Sequence, residues 1–263
     1  MAERLKAAVL KTVNGETRSG VRIPLPPPLR QRLGRCQKMS ASPPFRDQDE
    51  PIPGLDGRTV GDFWQWAYSD LLSNRNRSIL AEFMVGVALG AVNKPRVEWD
   101  AADLCYRGFK IEVKSSADCQ SWHQEKPSTI QFSIRKAVVW NPATGKYEGE
   151  PTRCADLYIF CHYPERDKAK ADALDVPAWD FYVVSTATLN QQFGEAKSLS
   201  LAAVRRVGIR CRFDGLKEAV DEQLSPILGR MRGSAEISGV RTCVPRYRPH
   251  KWSKDAVCST HTK

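Results

Sequence analysis

Asp100-Ala-Ala-Asp103-Leu-Cys-Tyr-Arg-Gly108-Phe-Lys-Ile-Glu112-Val-Lys114-Ser-Ser116 is the stretch on which the fold turns. Arg107-Gly108 is a turn signal between two apolar segments, so 102–106 and 109–115 are expected to pair as a β-hairpin. The two-residue period of a strand sends Ile111 and Val113 to one face and Glu112 and Lys114 to the other. The first strand carries Asp103 towards that polar face. Two carboxylates and an ammonium therefore gather at the edge of an apolar sheet. Hard divalent ions such as Mg²⁺ take one or two carboxylates and complete their shell with water and phosphate oxygens. A neighbouring Lys can orient the attacking water and offset charge on the phosphate.

Glu-x-Lys alone says little, because it also occurs as Glu195-Ala-Lys197. That copy lies in a polar stretch with no alternation and no strand Asp upstream. Without further support, Glu112-Val-Lys114 would read as the wet face of a half-buried strand. Support comes from Glu82, the sole charged residue between Ser78 and Asn93, in a helix reading Ile79-Leu-Ala-Glu-Phe-Met-Val-Gly-Val-Ala-Leu89. A carboxylate in so apolar a helix needs an ion, a cation partner or a shifted pKa. A buried pair with an arginine is the competing explanation.

With these residues in hand, the chain resembles the PD-(D/E)xK nuclease superfamily, the restriction-endonuclease-like fold. Asp103, Glu112 and Lys114 match the family's strand Asp and Glu-x-Lys, and Glu82 matches its frequent helix carboxylate. Ala102 stands where the family pattern has Pro. Asp100 is a second choice for the strand Asp, one step from Trp99 and farther from the turn. The resemblance implies an α/β fold with an αβββαβ core, a central mixed sheet flanked by helices. It implies Mg²⁺, with Mn²⁺ as a substitute, held by Asp103, Glu112, the Val113 carbonyl and Glu82. Gln120, just past the Lys, would touch the site or the backbone of the nucleic acid. Arg75, Arg77 and Ser115 are the expected nucleic-acid contacts. The implied activity is a metal-dependent endonuclease acting on DNA in restriction or defence. A homodimer and partner defence proteins would accompany that role. A non-catalytic nucleic-acid-binding module on the same fold and an RNA-directed nuclease are the alternatives.

Outward from the hairpin, Thr59-Val-Gly-Asp62 is a capping box expected to open a helix through Leu71-Leu72, broken at Ser73-Asn74. Its Phe63, Trp64, Trp66 and Tyr68 have helical spacing and are expected to face the core. A second helix runs from Arg75 to about Leu89 and closes at Gly90. Strands are expected at 96–99, 129–134, 156–163 and 179–185, and helices near 186–193, 200–206 and 215–223. One α/β domain over 59–225 follows, with loop-like 1–58 before it and a basic, irregular 226–263 after it. Arg205, Arg206, Arg210 and Arg212 form a second basic cluster, expected as a solvated face. His123 beside Trp122 is expected to pack or hydrogen-bond rather than act as a base.

Charge and composition exclude several classes. The net charge is +10 over 263 residues. Residues 1–46 carry +8 and residues 225–263 carry +6, leaving −4 on 47–224, so the basic excess sits in the tails. No window approaches 18 consecutive apolar residues, which excludes a transmembrane helix. The eight cysteines form no Cys-x-x-Cys pair, so structural zinc is not expected. With no secretory h-region, the cysteines point to a reducing cytoplasm. No Gly-x-Ser-x-Gly elbow and no Gly-rich phosphate loop occurs, which removes covalent hydrolase chemistry and ATP use within the chain. Finally, Val21-Arg-Ile-Pro24 is what the T-arm of a tRNA gene gives when translated. Residues 1–38 are therefore expected to be a mis-assigned start ahead of Met39, as at a mobile-element integration site. A start at Met39 would reduce the net charge to +3.

Overall fold

The computed structural model describes residues 43–97, 102–141 and 146–237. Segment 1–38, the Asp100 alternative and residues 238–263 lie outside the described residues. The capping box forms as expected: the Thr59 side chain accepts from the Asp62 amide and Asp62 accepts from the Thr59 amide, but helix α1 runs Val60–Tyr68 and stops short of the expected Leu71-Leu72, which lie in a turn. Its aromatic residues are not core. The helix buries none of its residues, and Trp66 is 85% exposed. Helical spacing identifies a common face but not whether anything lies against it.

Helix α2, Asn74–Leu89, starts at an N-cap Ser73 and stops at Gly90, whose φ of 63° is cheap only for glycine. Strands β1, Leu104–Tyr106, and β2, Phe109–Ala117, form the hairpin, with Tyr106 opposite Phe109. Arg107 and Gly108 both have positive φ, the type I′ signature. The turn is tied down from outside: Arg107 and the Tyr106 hydroxyl both reach the Asp221 carboxylate, at 2.9 and 3.1 Å. Asp221 belongs to helix α5, Leu216–Ile237.

The rest of the sheet comes from β6, Leu157–Tyr163, β7, Asp180–Ser185, and β9, Ile209–Cys211. Strand order is β1-β2-β6-β7-β9, and only β2 and β6 run parallel. The result is an α/β fold on a mixed central sheet. Between β2 and β6 lie β3, Gln131–Ser133, and a separate hairpin of β4, Ala137–Asn141, with β5, Lys146–Thr152. Helix α3, Thr186–Phe193, strand β8, Ser198–Ser200, and helix α4, Leu201–Val207, follow β7. The expected strand at 96–99 is absent at Arg96 and Val97, and its remainder lies outside the described residues. The irregular 226–263 tail is corrected at its start: α5 continues through Pro226 to Ile237. No helix of the described residues is long and apolar enough to cross a membrane.

Two apolar layers hold the sheet. On one face, Ile111, Val113, Ile159 and Val183 pack against Ala81, Met84 and Val85 of α2 and Leu216, Val220 and Leu224 of α5. On the other, Tyr158, Phe160, Tyr182 and Val184 pack against Phe132, Leu189, Leu199 and Val204. That second layer covers β6 and β7 and takes nothing from β2. The polar side of β2 is thus left at the uncovered rim, where Glu112 and Lys114 are half-buried.

Gly86 sets how closely α2 approaches the hairpin. A Cβ there would stand 2.7 Å from the Val92 side chain and 3.4 Å from Leu104, the residue after Asp103. A larger side chain must push the helix off β1. Gly86→Val is expected to cost about 1–3 kcal/mol through overpacking, read as a lower urea midpoint at unchanged slope.

Candidate active site

Strand β1 begins at Leu104, opposite Ile111, so β2 outruns it by several residues. Past that point the Val113 amide has no β1 partner. It donates instead to the Asp103 side chain, Oδ2 accepting at 2.7 Å. Residue backbones alternate sides along a strand, so the Val113 carbonyl turns to the same open edge as its N–H. Glu112 and Lys114 flank this point and are ion-paired to each other. Tyr158, buried on β6 in register with Glu112, has its phenol pushed up by burial and further by the Glu112 charge.

Glu82 arrives from α2 on the opposite side of the sheet. It is 9% exposed, and Arg96 holds it through two hydrogen bonds, one of 3.0 Å from Nη2 to Oε1. The arginine explanation and the site explanation both describe it. Glu82 is arginine-bound, and its charge still reaches Asp103. Burial, first, and then the Glu112 and Glu82 charges push Asp103 from an ordinary 3.8 up to about 7, against the pull of the Val113 amide and Lys114. Asp103 thus feels the negative charge of both Glu112 and Glu82.

Among the described residues no three His, Cys, Asp or Glu side chains converge as a ready-made ion cage. A hard cation with mostly water and phosphate ligands needs no such cage. The donor set fits it: carboxylate oxygens of Asp103 and Glu112, the outward carbonyl of Val113, and an excess of negative charge that a divalent ion would relieve.

Other expected site residues lie elsewhere. Gln120 is buried, its amide donating to the Ala117 carbonyl and Ser128 Oγ while Oε1 accepts from Arg77 at 3.0 Å. It braces the loop after β2 and offers its amide to nothing outside. Arg77 is 2% exposed and spends its guanidinium on Gln120, Asn74 and the Leu72 carbonyl, so it is not a phosphate contact. Burial pulls its pKa down to about 10. Ser115 alternates with Lys114, and its buried hydroxyl sits on the α2 side of the sheet without a partner, away from the face on which Lys114 lies. Arg75 is exposed in the first turn of α2 and remains available. Arg210 and Arg212 are bound to the buried Asp180, not free as a basic face. The Glu195 copy of the motif is a surface pair with Lys136.

Sequence reading missed Arg96, because nothing local marks a residue fourteen positions on as the partner of Glu82. It also missed the side chains at the far end of β2 and β6, which meet only through the parallel pairing. No protein-family model matches the chain, and a comparison with curated proteins finds no match.

The raised Asp103 pKa has a direct consequence. Its folded-state value lies above its unfolded one, so its contribution favours the fold below about pH 4 and is lost as pH rises through about 7. In EDTA at about pH 8, Asp103→Asn should therefore be more stable than the parent by about 2 kcal/mol, with little difference near pH 4. Chemical denaturation at both pH values decides it, and a variant weaker at the higher pH would refute the crowding. A second expectation separates the two arginines of α2. Arg77→Met should destabilise by about 2–4 kcal/mol through lost buried partners, whereas Arg75→Met should leave the melting temperature unchanged.

Proposed function

We propose that the chain is a metal-dependent nuclease that hydrolyses phosphodiester bonds, with DNA as the first substrate to test. The observation carrying this reading is the junction of Asp103, Glu112 and Lys114 where β1 stops short of β2. The chain's likeness to the PD-(D/E)xK superfamily in these residues supports it, as does a mixed sheet whose antiparallel hairpin continues into a parallel neighbour. The finer assignment, a restriction-endonuclease-like core in a restriction or defence role, belongs to the same proposal and rests on that likeness.

Asp103 and Glu112 would hold the ion with the Val113 carbonyl, and Glu82, steadied by Arg96, would add negative charge behind them. A hard divalent ion supplies Lewis-acid stabilisation of the phosphate and a more acidic water. The residues do the rest. Lys114 orients the attacking water and offsets the charge that gathers on the phosphate oxygens. The water oxygen attacks phosphorus as its proton passes to solvent, one bridging P–O bond breaks, and the leaving oxygen takes a proton from solvent. The Val113 amide aims Asp103 by donating to it and favours its ionised form, against the burial that raises its pKa.

Purified protein incubated with plasmid, single-stranded DNA and RNA, with Mg²⁺, Mn²⁺ or EDTA, tests the reading. Cleavage with either ion and none in EDTA is expected. Retarded mobility without cleavage would favour the binding-module alternative, and cleavage of RNA alone would move the substrate class. Lys114→Ala, Asp103→Ala and Glu112→Gln should each lower cleavage at least about a hundredfold, while melting temperatures stay within a few degrees for Lys114→Ala. Full activity in any of the three would end the assignment.

A further inference from the structure

On the face that bears Glu112 and Lys114, β2 goes on to Ser116, which lies opposite His162 of β6. Four residues of strand span about 13 Å, so this point lies along the same rim from Glu112. A cavity of about 460 Å³ opens there, lined by Asp118, Ser128, His162, Arg166, Ser200 and Arg205 among others. His162 forms part of its wall. The residue is only 2% exposed, its ring nitrogens are closed off from the cavity, and Nε2 lies 3.7 Å from Asp118 Oδ2.

The surrounding groups specify what enters. Arg205 uses Nε on the Tyr182 hydroxyl at 3.1 Å, which leaves its two terminal nitrogens unpartnered among the described residues. Ser128 Oγ accepts from Gln120 and Gln124, and Ser200 Oγ accepts from the Ala203 amide, so each hydroxyl still has its hydrogen to give. Arg166 Nε faces Asp118 Oδ2 at 3.3 Å and offsets the one carboxylate in the wall. Donors outnumber acceptors, and the net charge of the lining is positive. The complementary ligand is an acceptor-rich anion.

We propose that this cavity is a phosphate subsite for the nucleic-acid strand, seating a phosphate beyond the scissile one. Arg205, Ser128 and Ser200 would hold its oxygens. The inference rests on the nuclease reading for its substrate, and a terminal monoester and an internal diester share the chemistry that the lining recognises.

The test measures binding without cleavage. The full chain in EDTA is titrated with a short single-stranded oligodeoxynucleotide, labelled at its 3′ end, bearing either a 5′-phosphate or a 5′-hydroxyl. Arg205→Met, an exposed residue whose loss spares the core, should weaken binding about tenfold. Arg206→Met removes the same charge one residue away, where the guanidinium lies over the Phe193 ring outside the cavity, and should change affinity less than about twofold. Ser200→Ala gives a second, uncharged probe and should weaken binding in the same direction. About tenfold preference for the 5′-phosphate, abolished by Arg205→Met, assigns a terminal phosphate. Equal binding of the two strands, each weakened by Arg205→Met, assigns an internal one. Equal losses for Arg205→Met and Arg206→Met, or none for either, overturn the subsite. Phosphate-induced stabilisation that Arg205→Met removes, with strand affinity unchanged, overturns it too and leaves a site for free phosphate. Cleavage with Mg²⁺ is measured in parallel: a parent chain that binds as described but never cuts refutes the nuclease reading and not the subsite.

Discussion

The hydrogen bond from the Val113 amide to the Asp103 carboxylate stands where a longer β1 would have continued the ladder. An edge amide without a partner either faces water or finds a side chain, and here the side chain is also the acid nearest the front of the sheet. Everything else about the site follows from that substitution. Ending β1 early frees the edge of β2, exposes Glu112 and Lys114 at its rim, and leaves room beside the Val113 carbonyl. Extending β1 by two residues would satisfy the backbone better and close the site.

The cost of the arrangement is electrostatic. Asp103 feels the charges of Glu112 and Glu82 beside an apolar sheet, while Lys114 pairs with Glu112 and Arg96 with Glu82. Neutralising Asp103 by protonation relieves the strain in the free chain, and a divalent cation would do so at higher pH. The positions proposed to carry the chemistry are therefore ones at which the fold would be better served by uncharged residues. Functional sites commonly sit at such departures from the stability optimum.

Much of this was legible in the sequence because it is local. The capping box, the Arg107-Gly108 turn, the alternation through Ile111-Glu112-Val113-Lys114 and the glycine stop of α2 each act within a few residues. Misreadings arose where meaning depends on distant chain. Arg77 looks like a phosphate contact in its helix and is instead the floor under Gln120, forty-three residues away. Trp66 has the spacing of a core residue, but no covering layer forms over it. Strand β8 was invisible because so short and polar a strand as Ser198–Ser200 carries no periodic signal. Asp118, His162 and Arg205 meet only in three dimensions.

The parallel pairing of β2 with β6 has a kinetic side. A two-stranded hairpin is marginal alone, so β1 and β2 need β6 beside them to persist. That neighbour is reached only after the chain has made the whole excursion through β3, β4 and β5, and closing such a loop is slow compared with forming the turn itself. Acidic groups that are neighbours in sequence thus acquire a rigid setting late in folding. A nascent or half-folded chain would hold Asp103, Glu112 and Lys114 close together yet too loosely to act, so any activity they have is withheld until the central sheet is complete.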